Sequence, residues 1–171
     1  MFSPCAAAAL YRRDPFVAAG GFAEDFFCYL EDVDLGFRLR QQGYPVSQVA
    51  AARVIHAGSA STGRHSRFTL FHATRNGLFL MGRCLPLPLL LLAVPLFLAA
   101  QLMLMIQTPH PAARLAGLAA GLTAGRRLRR QRRALRRINR LSLAATAALL
   151  VWNPGHLRRR ALVAVRQRGE A

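Results

Sequence analysis

The sequence predicts an α/β part followed by membrane-associated helices. Three observations support this prediction: a helix signal over about 32–42 precedes two short β-like segments, residues 84–106 carry no formal charge, and the last third of the chain is rich in arginine. The 171 residues carry a formal net charge of +17, and 53% of them are hydrophobic. A chain this apolar can bury surface, which excludes a disordered polyelectrolyte.

Charge divides the chain into three unlike pieces. Residues 1–83 are nearly balanced, with a net charge of +3, whereas residues 111–171 carry +14. The stretch 84–110 between them contains no Asp, Glu, Lys or Arg. We therefore expect a globular part over 1–83, an apolar membrane-embedded or interfacial segment over 84–110, and an Arg-rich amphipathic helical tail over 111–171.

A cluster of acids marks the start of the predicted helix at 32–42. Glu31, Asp32 and Asp34 fall within four residues, and Gly43 stands where a glycine commonly ends a helix. Carboxylates at a helix N-terminus are favourable because they complement its free N–H groups. Three acids exceed what one cap requires and follow an aromatic stretch, so a reactive carboxylate is the second interpretation of the cluster.

Two short β segments are predicted after this helix, at 44–49 and 53–56. The second places His56 at the edge of a loop of small residues, 57–63. A histidine in that position is either a packed residue or a metal ligand, and its spacing alone does not decide between them.

The apolar run 84–106 is long enough to cross a bilayer, since as a helix it would extend roughly 35 Å. Pro95 lies in its middle and should bend it, so a straight crossing and a bent, re-entrant or in-plane helix both remain open. The chain then continues into residues 141–152, an apolar stretch too short to span, which we interpret as an interfacial helix.

Nine arginines lie in the run 126–140, which also has a narrow apolar stripe of Leu128, Leu135 and Ile138. Such a helix is expected to lie on anionic lipid at the cytoplasmic side of a membrane. A solvated helix or a nucleic-acid arm is the alternative. Nucleic acid is the weaker of these partners, because no aromatic residue is interleaved with the arginines.

Specific strings in residues 3–83 resemble the C-terminal half of the catalytic domain of family 2 glycosyltransferases, which have the GT-A (Rossmann-like) fold, and are most similar to the rhamnosyltransferase-like branch. The matching strings are AAALYRR at 7–13, GGF at 20–22, FFCYLEDVDLGFRLR at 26–40, GY at 43–44 and VIHAGS at 54–59. The pair Arg75-Asn76 also resembles one found in this family, although a polar helix face would explain it equally well.

The resemblance implies an inverting glycosyltransferase of cell-surface polysaccharide synthesis. It would transfer a sugar from a nucleotide-sugar donor to the hydroxyl of a glycan or lipid-linked acceptor. Asp32 is then the expected general base, and Glu31 and Asp34 would shape the acceptor site or orient their neighbours. The expected substrate-binding residues are Gly21, Phe22 and Arg38.

The resemblance also implies a divalent metal, Mg or Mn, on the donor diphosphate, with His56 as one ligand. The nucleotide-binding half of the family and its Asp-x-Asp metal ligands are not in this sequence. We therefore expect a truncated chain that does not bind a nucleotide sugar in the family's way by itself. The function class that competes with an enzyme is a non-catalytic, basic membrane- or nucleic-acid-binding protein.

The same resemblance implies where in the cell this chain acts. Nucleotide sugars are cytoplasmic, so the catalytic part is expected at the cytoplasmic face of the membrane, on the same side as the Arg-rich helix. A single straight crossing at 84–106 would separate the two. We therefore predict that this segment forms a hairpin, a re-entrant element or an in-plane helix.

Overall fold

A computed structural model describes residues 2–56, 63 and 65–151, which divide into one compact unit within residues 1–141 and a second within 142–171. Short 3₁₀ turns lie at Ala6–Ala8 and Glu24–Phe26. The helices, numbered in chain order, are α1 (Arg13–Ala18), α2 (Glu31–Gln41), α3 (Arg67–Cys84), α4 (Leu87–Gln107), α5 (Pro111–Thr123), α6 (Gly125–Arg136) and α7 (Leu143–Ala148).

The predicted α/β, GT-A-like architecture is wrong: the described residues form helices and turns, and none of them is in a strand. Both predicted β segments, 44–49 and 53–56, are irregular and mostly exposed, with Val54 61% and Ile55 103% exposed. A β-strand needs a neighbouring strand to pair its backbone groups, and the described part of the chain supplies none. Residues 57–62 of the predicted small-residue loop lie outside the described residues.

The predicted helix at 32–42 is confirmed as α2, and its end follows from local sequence. Gly43 adopts a left-handed φ of 90°. Its N–H donates to the Arg40 carbonyl at 2.9 Å, and the Tyr44 N–H donates to the Leu39 carbonyl at 3.0 Å. These two hydrogen bonds form a Schellman motif, which satisfies carbonyls that the helix itself leaves free.

Helices α3 and α5 pack closely because α5 offers two glycines one turn apart. A Cβ atom at Gly117 would lie 2.6 Å from the backbone oxygen of Phe71, and one at Gly121 would lie 2.5 Å from Cδ1 of Leu78. Any side chain at either position would push the helices apart. The pair is a small-xxx-small contact of the kind that brings helix backbones together in membrane proteins.

Helix α4 is long and apolar enough to cross a membrane, with a mean hydropathy of 2.6 over a window of which 11% is buried. It runs continuously through Pro95. Its buried Gln101 accepts hydrogen bonds from Thr74 Oγ1 at 3.2 Å and Arg114 Nη1 at 2.7 Å. The helix thus turns a polar group toward α3 and α5 and leaves leucines exposed. Whether it spans, re-enters or lies in plane stays a prediction.

The Arg-rich helix predicted within 126–140 is confirmed over the range of α6. One residue of its predicted apolar stripe, however, packs in the protein core. Leu128 is buried in a core cluster with Phe26 and Phe79 instead of facing outward. Gly82 makes room for it, since a Cβ there would lie 3.0 Å from Cδ1 of Leu128. Helix α6 therefore packs on α3 through the side that carries Leu128, while arginines such as Arg130 and Arg133 are exposed.

The second unit is represented by α7, a helix shorter than the predicted apolar stretch 141–152. Ser142 caps it, with Oγ accepting a hydrogen bond from the Ala145 N–H at 3.1 Å. The predicted end of this stretch at 153–155 lies outside the described residues.

Candidate functional site

Asp32 lies in the first turn of α2, where backbone donors hold its half-buried carboxylate. Oδ1 accepts a hydrogen bond from the Val33 N–H at 2.7 Å, and Oδ2 accepts one from the Ala6 N–H at 3.1 Å. The Ser3 hydroxyl donates to the Asp32 carbonyl at 2.7 Å. A carboxylate has about four lone-pair positions, so two acceptor positions remain free on a fixed group.

Glu31 stands beside this carboxylate without a hydrogen-bond partner of its own for Oε2, which is buried. Burial raises the pKa of Glu31, and the neighbouring Asp32 carboxylate raises it further. The buried Tyr11 hydroxyl also lacks a partner. Burial and the charges of Asp32 and Glu31 raise the pKa of Tyr11, which places its phenol in the field of both acids. The site thus holds polar atoms that a ligand could satisfy.

We expect Glu31→Gln to raise the thermal unfolding temperature at pH 7 and to leave it unchanged below about pH 4, the ordinary Glu range. A raised pKa means that the folded state binds the proton more tightly than the unfolded state. The ionised Glu31 therefore costs stability as pH rises through and above its unfolded value, and glutamine removes that cost. Calorimetry at the two pH values measures it. The exposed Glu24→Gln is the control, and an equal shift at both pH values would contradict titration of Glu31 as the cause.

Asp34 is completely buried and is held by two arginines. Arg38 Nη2 lies 2.7 Å and Arg83 Nε 3.0 Å from its carboxylate oxygens. The Cys84 thiol donates to Oδ1 at 3.5 Å. Burial and the Asp34 charge raise the pKa of Cys84 well above its usual value, so the thiol stays protonated. Asp34 joins α2 to the end of α3 and does not face a substrate-accessible surface.

Arg38 holds the turn that contains Gly21 and leads into Phe22. It donates from Nη2 to the Gly21 carbonyl at 2.7 Å and from Nη1 to the Ala19 carbonyl. The ring of Phe22, 40% exposed, meets the ring of Tyr11 edge-on with centroids 5.8 Å apart. The glycine turn, Phe22 and the acid cluster therefore belong to one assembly around the start of α2.

His56 does not join this assembly in any observed contact. It is exposed, on an irregular segment. Among the residues that the structure describes, no three His, Cys, Asp or Glu side chains lie close enough to share a metal ion. The described residues alone therefore do not fit a divalent metal, and the roles of His56 and of Mg or Mn stay predictions.

The loop before α2 has an unusual backbone that the sequence pattern does not reveal. Phe27, Tyr29 and Leu30 have positive φ angles of 59°, 70° and 66°. Such values are uncommon for residues with a side chain and cost on the order of 1–3 kcal/mol each. The surrounding structure must therefore hold this loop in place.

Asn76 on α3 is the residue that holds it. It is completely buried, and its two Nδ2 hydrogens are shared among the carbonyls of Phe26 at 2.9 Å, Cys28 at 2.7 Å and Tyr29 at 2.8 Å. Arg75 donates to the Asn76 Oδ1 at 2.9 Å and to the Phe26 carbonyl at 2.9 Å. One interpretation of the Arg75-Asn76 pair was a simple polar helix face. These contacts join α3 to the loop before α2 and do not fit that interpretation.

Helix α6 is fastened to the same loop. Arg127 Nη1 lies 2.9 Å from a carboxylate oxygen of Asp25, and Gln131 donates to the other oxygen at 2.6 Å. The Arg127 guanidinium also lies over the Phe79 ring, 5.1 Å from its centroid. The Arg-rich helix and the acid cluster are thus parts of one packed unit, joined through the turn at Glu24–Phe26.

Comparison with curated proteins gives a partial relationship to glycosyltransferases. The chain is 49% identical over 55 residues to the N-acetylglucosaminyl-diphospho-decaprenol L-rhamnosyltransferase of Mycobacterium tuberculosis, a match covering 32% of this chain and 18% of the relative. It is 44% identical over 59 residues to the O-antigen biosynthesis protein RfbC of Myxococcus xanthus, covering 34% of this chain and 5% of that protein.

The chain spans less than a fifth of the length of the rhamnosyltransferases it matches. No family model matches it, and no solved structure does either. Over about a third of its length, the chain is therefore related to proteins named for sugar transfer and polysaccharide synthesis, and one of its helices could span a membrane.

Proposed function

We propose that this chain carries the acceptor side and the general base of an inverting family 2 glycosyltransferase of cell-surface polysaccharide synthesis. The observation that carries the proposal is Asp32, an oriented, half-buried carboxylate at the start of α2, in a chain that is partly identical to a rhamnosyltransferase. The sugar donor is a nucleotide sugar, and the acceptor is a glycan or a lipid-linked saccharide.

Asp32 acts as the base in this proposal. A single displacement at the anomeric carbon requires the acceptor hydroxyl to lose its proton as its oxygen forms the new glycosidic bond. The Val33 and Ala6 N–H groups fix the Asp32 carboxylate and leave lone pairs for that proton. Fixing the base before the substrate arrives lowers the cost of reaching a reactive geometry.

The other predicted residues have positioning roles. Asp34 holds Arg38, which in turn holds the turn containing Gly21. Glu31 shapes the acceptor site next to Asp32, where its buried Oε2 has no hydrogen-bond partner within the protein. A divalent metal bound at the site would stabilise the departing diphosphate. The proposed proton transfer to Asp32 does not require that metal.

Anionic lipid is the proposed partner of the outer face of α6. Arg126, Arg130, Arg133 and Arg137 recur at helical spacing and, with Arg129, line an open groove of about 760 Å³. Each arginine near an anionic surface contributes on the order of 1 kcal/mol of attraction. Since α6 packs against the loop before α2, this contact would seat the site at the cytoplasmic face of the membrane.

The proposed function predicts that Asp32→Asn lowers sugar transfer by about 10² to 10⁴ in turnover, the usual contribution of a general base. Membranes containing the chain fused to the nucleotide-binding half of a family 2 glycosyltransferase are assayed for transfer from a panel of nucleotide sugars, nucleotide-linked rhamnose included, to lipid-linked acceptors. Asp14→Asn is the matched control, because Asp14 is exposed in the first turn of α1. Undiminished turnover would remove Asp32 as the base. Failure of the fused protein with unmodified Asp32 to transfer any sugar would contradict the function itself.

A further inference from the structure

Phe27 is held in an exposed position by a strained backbone. Its φ of 59° and ψ of −60° put it at the centre of a γ-turn, closed by the Cys28 N–H donating to the Phe26 carbonyl at 2.6 Å. The side chain is 76% exposed. The loop is therefore destabilised both by its strained backbone and by an aromatic ring that is exposed to water. Strained backbone of this kind is common at functional sites.

Two further rings complete a surface with Phe27. The centroid of the Phe27 ring lies 5.6 Å from that of His72 and 6.3 Å from that of Phe68, and Phe68 and His72 are 4.4 Å apart. Phe68 is itself 37% exposed. We call these three residues the aromatic platform. Its rings come from the loop before α2 and from the first turns of α3, so Asn76 and Arg75 fix the relation between them.

Two polar atoms, one in the platform and one at the start of α2, lack a hydrogen-bond partner. The Nδ1 atom of His72 is buried and has no hydrogen-bond partner. Burial and the nearby Arg75 charge lower the pKa of His72, so its imidazole is neutral at neutral pH. At the other end of the loop, Glu31 also has an unpartnered oxygen. A purely apolar partner, such as an acyl chain, would leave these atoms unsatisfied.

We propose that the aromatic platform binds a pyranose ring of the glycan acceptor. A pyranose has one face of C–H groups, which pack on aromatic rings, and an edge of hydroxyls, which suits the unpartnered Nδ1 of His72. The inference rests on the proposed function, because it is the acceptor that must come to Asp32, five residues after Phe27 in the chain. The strained loop then acts as a preformed support for the sugar.

The test is binding of methyl β-N-acetylglucosaminide to the full chain in detergent micelles, followed by saturation-transfer NMR. Phe27→Ala is expected to weaken binding about tenfold, which corresponds to loss of one aromatic contact. Phe27→Trp is expected to retain binding because it keeps a ring in place. Tyr44→Ala is the matched control, since Tyr44 is an aromatic residue 39% exposed outside the platform. Mannitol serves as the control ligand, as it has hydroxyls but no ring.

Unchanged binding in Phe27→Ala, or equally strong binding of mannitol, would overturn the proposal. Equal losses in Phe27→Ala and Tyr44→Ala would also overturn it. Thermal unfolding checks the fold of each variant, and Phe27→Ala should fold normally because the ring is exposed. The readout is independent of chemistry: binding of the glycoside requires neither a sugar donor nor transfer, so failure of sugar transfer and failure of the platform are separate results.

Discussion

Replacing Asp34 with asparagine is expected to lower the free energy of unfolding by about 3–5 kcal/mol, the usual cost of leaving a buried charge unpaired. Asparagine keeps the shape of the side chain but cannot neutralise Arg38 and Arg83, which lie 2.7 and 3.0 Å from the Asp34 oxygens. Since a domain is stable by only about 5–15 kcal/mol, most of the structure that surrounds α2 should become unstable. Urea unfolding in detergent micelles, followed by circular dichroism, measures the loss.

Two variants separate this effect from the loss of any acid. Asp14→Asn makes the same chemical change on an exposed helix residue and should stay within about 0.5 kcal/mol of the unmodified chain. Arg83→Met removes one guanidinium but leaves the Asp34 pair with Arg38, so we expect it to cost less than Asp34→Asn. If Asp34→Asn were no more harmful than Asp14→Asn, the buried ion triad would not stabilise this fold.

Local signals explain which elements the sequence could predict. Helix α2 is correctly placed because its acids, Gly43 and the following turn all act within a few residues. The β segments at 44–49 and 53–56 fail because pairing depends on a neighbour elsewhere in the chain, which β propensity cannot supply. Val and Ile in those segments indicate a preference, and the described structure leaves them unpaired and exposed.

The candidate site, like the fold, has features that the sequence predicts and features that it does not. Glu31, Asp32 and Asp34 are visible as a cluster, but their different environments are not. Asp34 is buried because Arg83, 49 residues later, turns back onto it. Aromatic residues before α2 are equally plain in the sequence, whereas the positive φ of Phe27 follows from contacts with a distant helix. Contacts between residues so far apart in the chain cannot be recognised from the local sequence, except where a polar residue stands among the apolar residues of a helix.

Asn76 is that polar residue, and Asn76→Ala is expected to lower the free energy of unfolding by about 2–4 kcal/mol. The change removes two N–H donors that three carbonyls of the loop before α2 share, and it removes the acceptor of the Arg75 Nε hydrogen bond. Each lost hydrogen bond is worth roughly 1 kcal/mol net. The strain at Phe27, Tyr29 and Leu30 is then no longer balanced. Because this loop leads directly into Asp32, sugar transfer should fall with stability. Urea unfolding and the transfer assay measure the two effects.

A second substitution tests whether the loop backbone is the cause. Phe27→Gly in the Asn76→Ala background should restore about 1 kcal/mol, because glycine adopts a positive φ without the cost that a side chain imposes. Phe27 is exposed, so its removal sacrifices little packing. The restored free energy should not return sugar binding, since the platform has lost its ring. If Phe27→Gly further destabilised the Asn76→Ala chain, Asn76 would act on the α3 core and not on the strained loop.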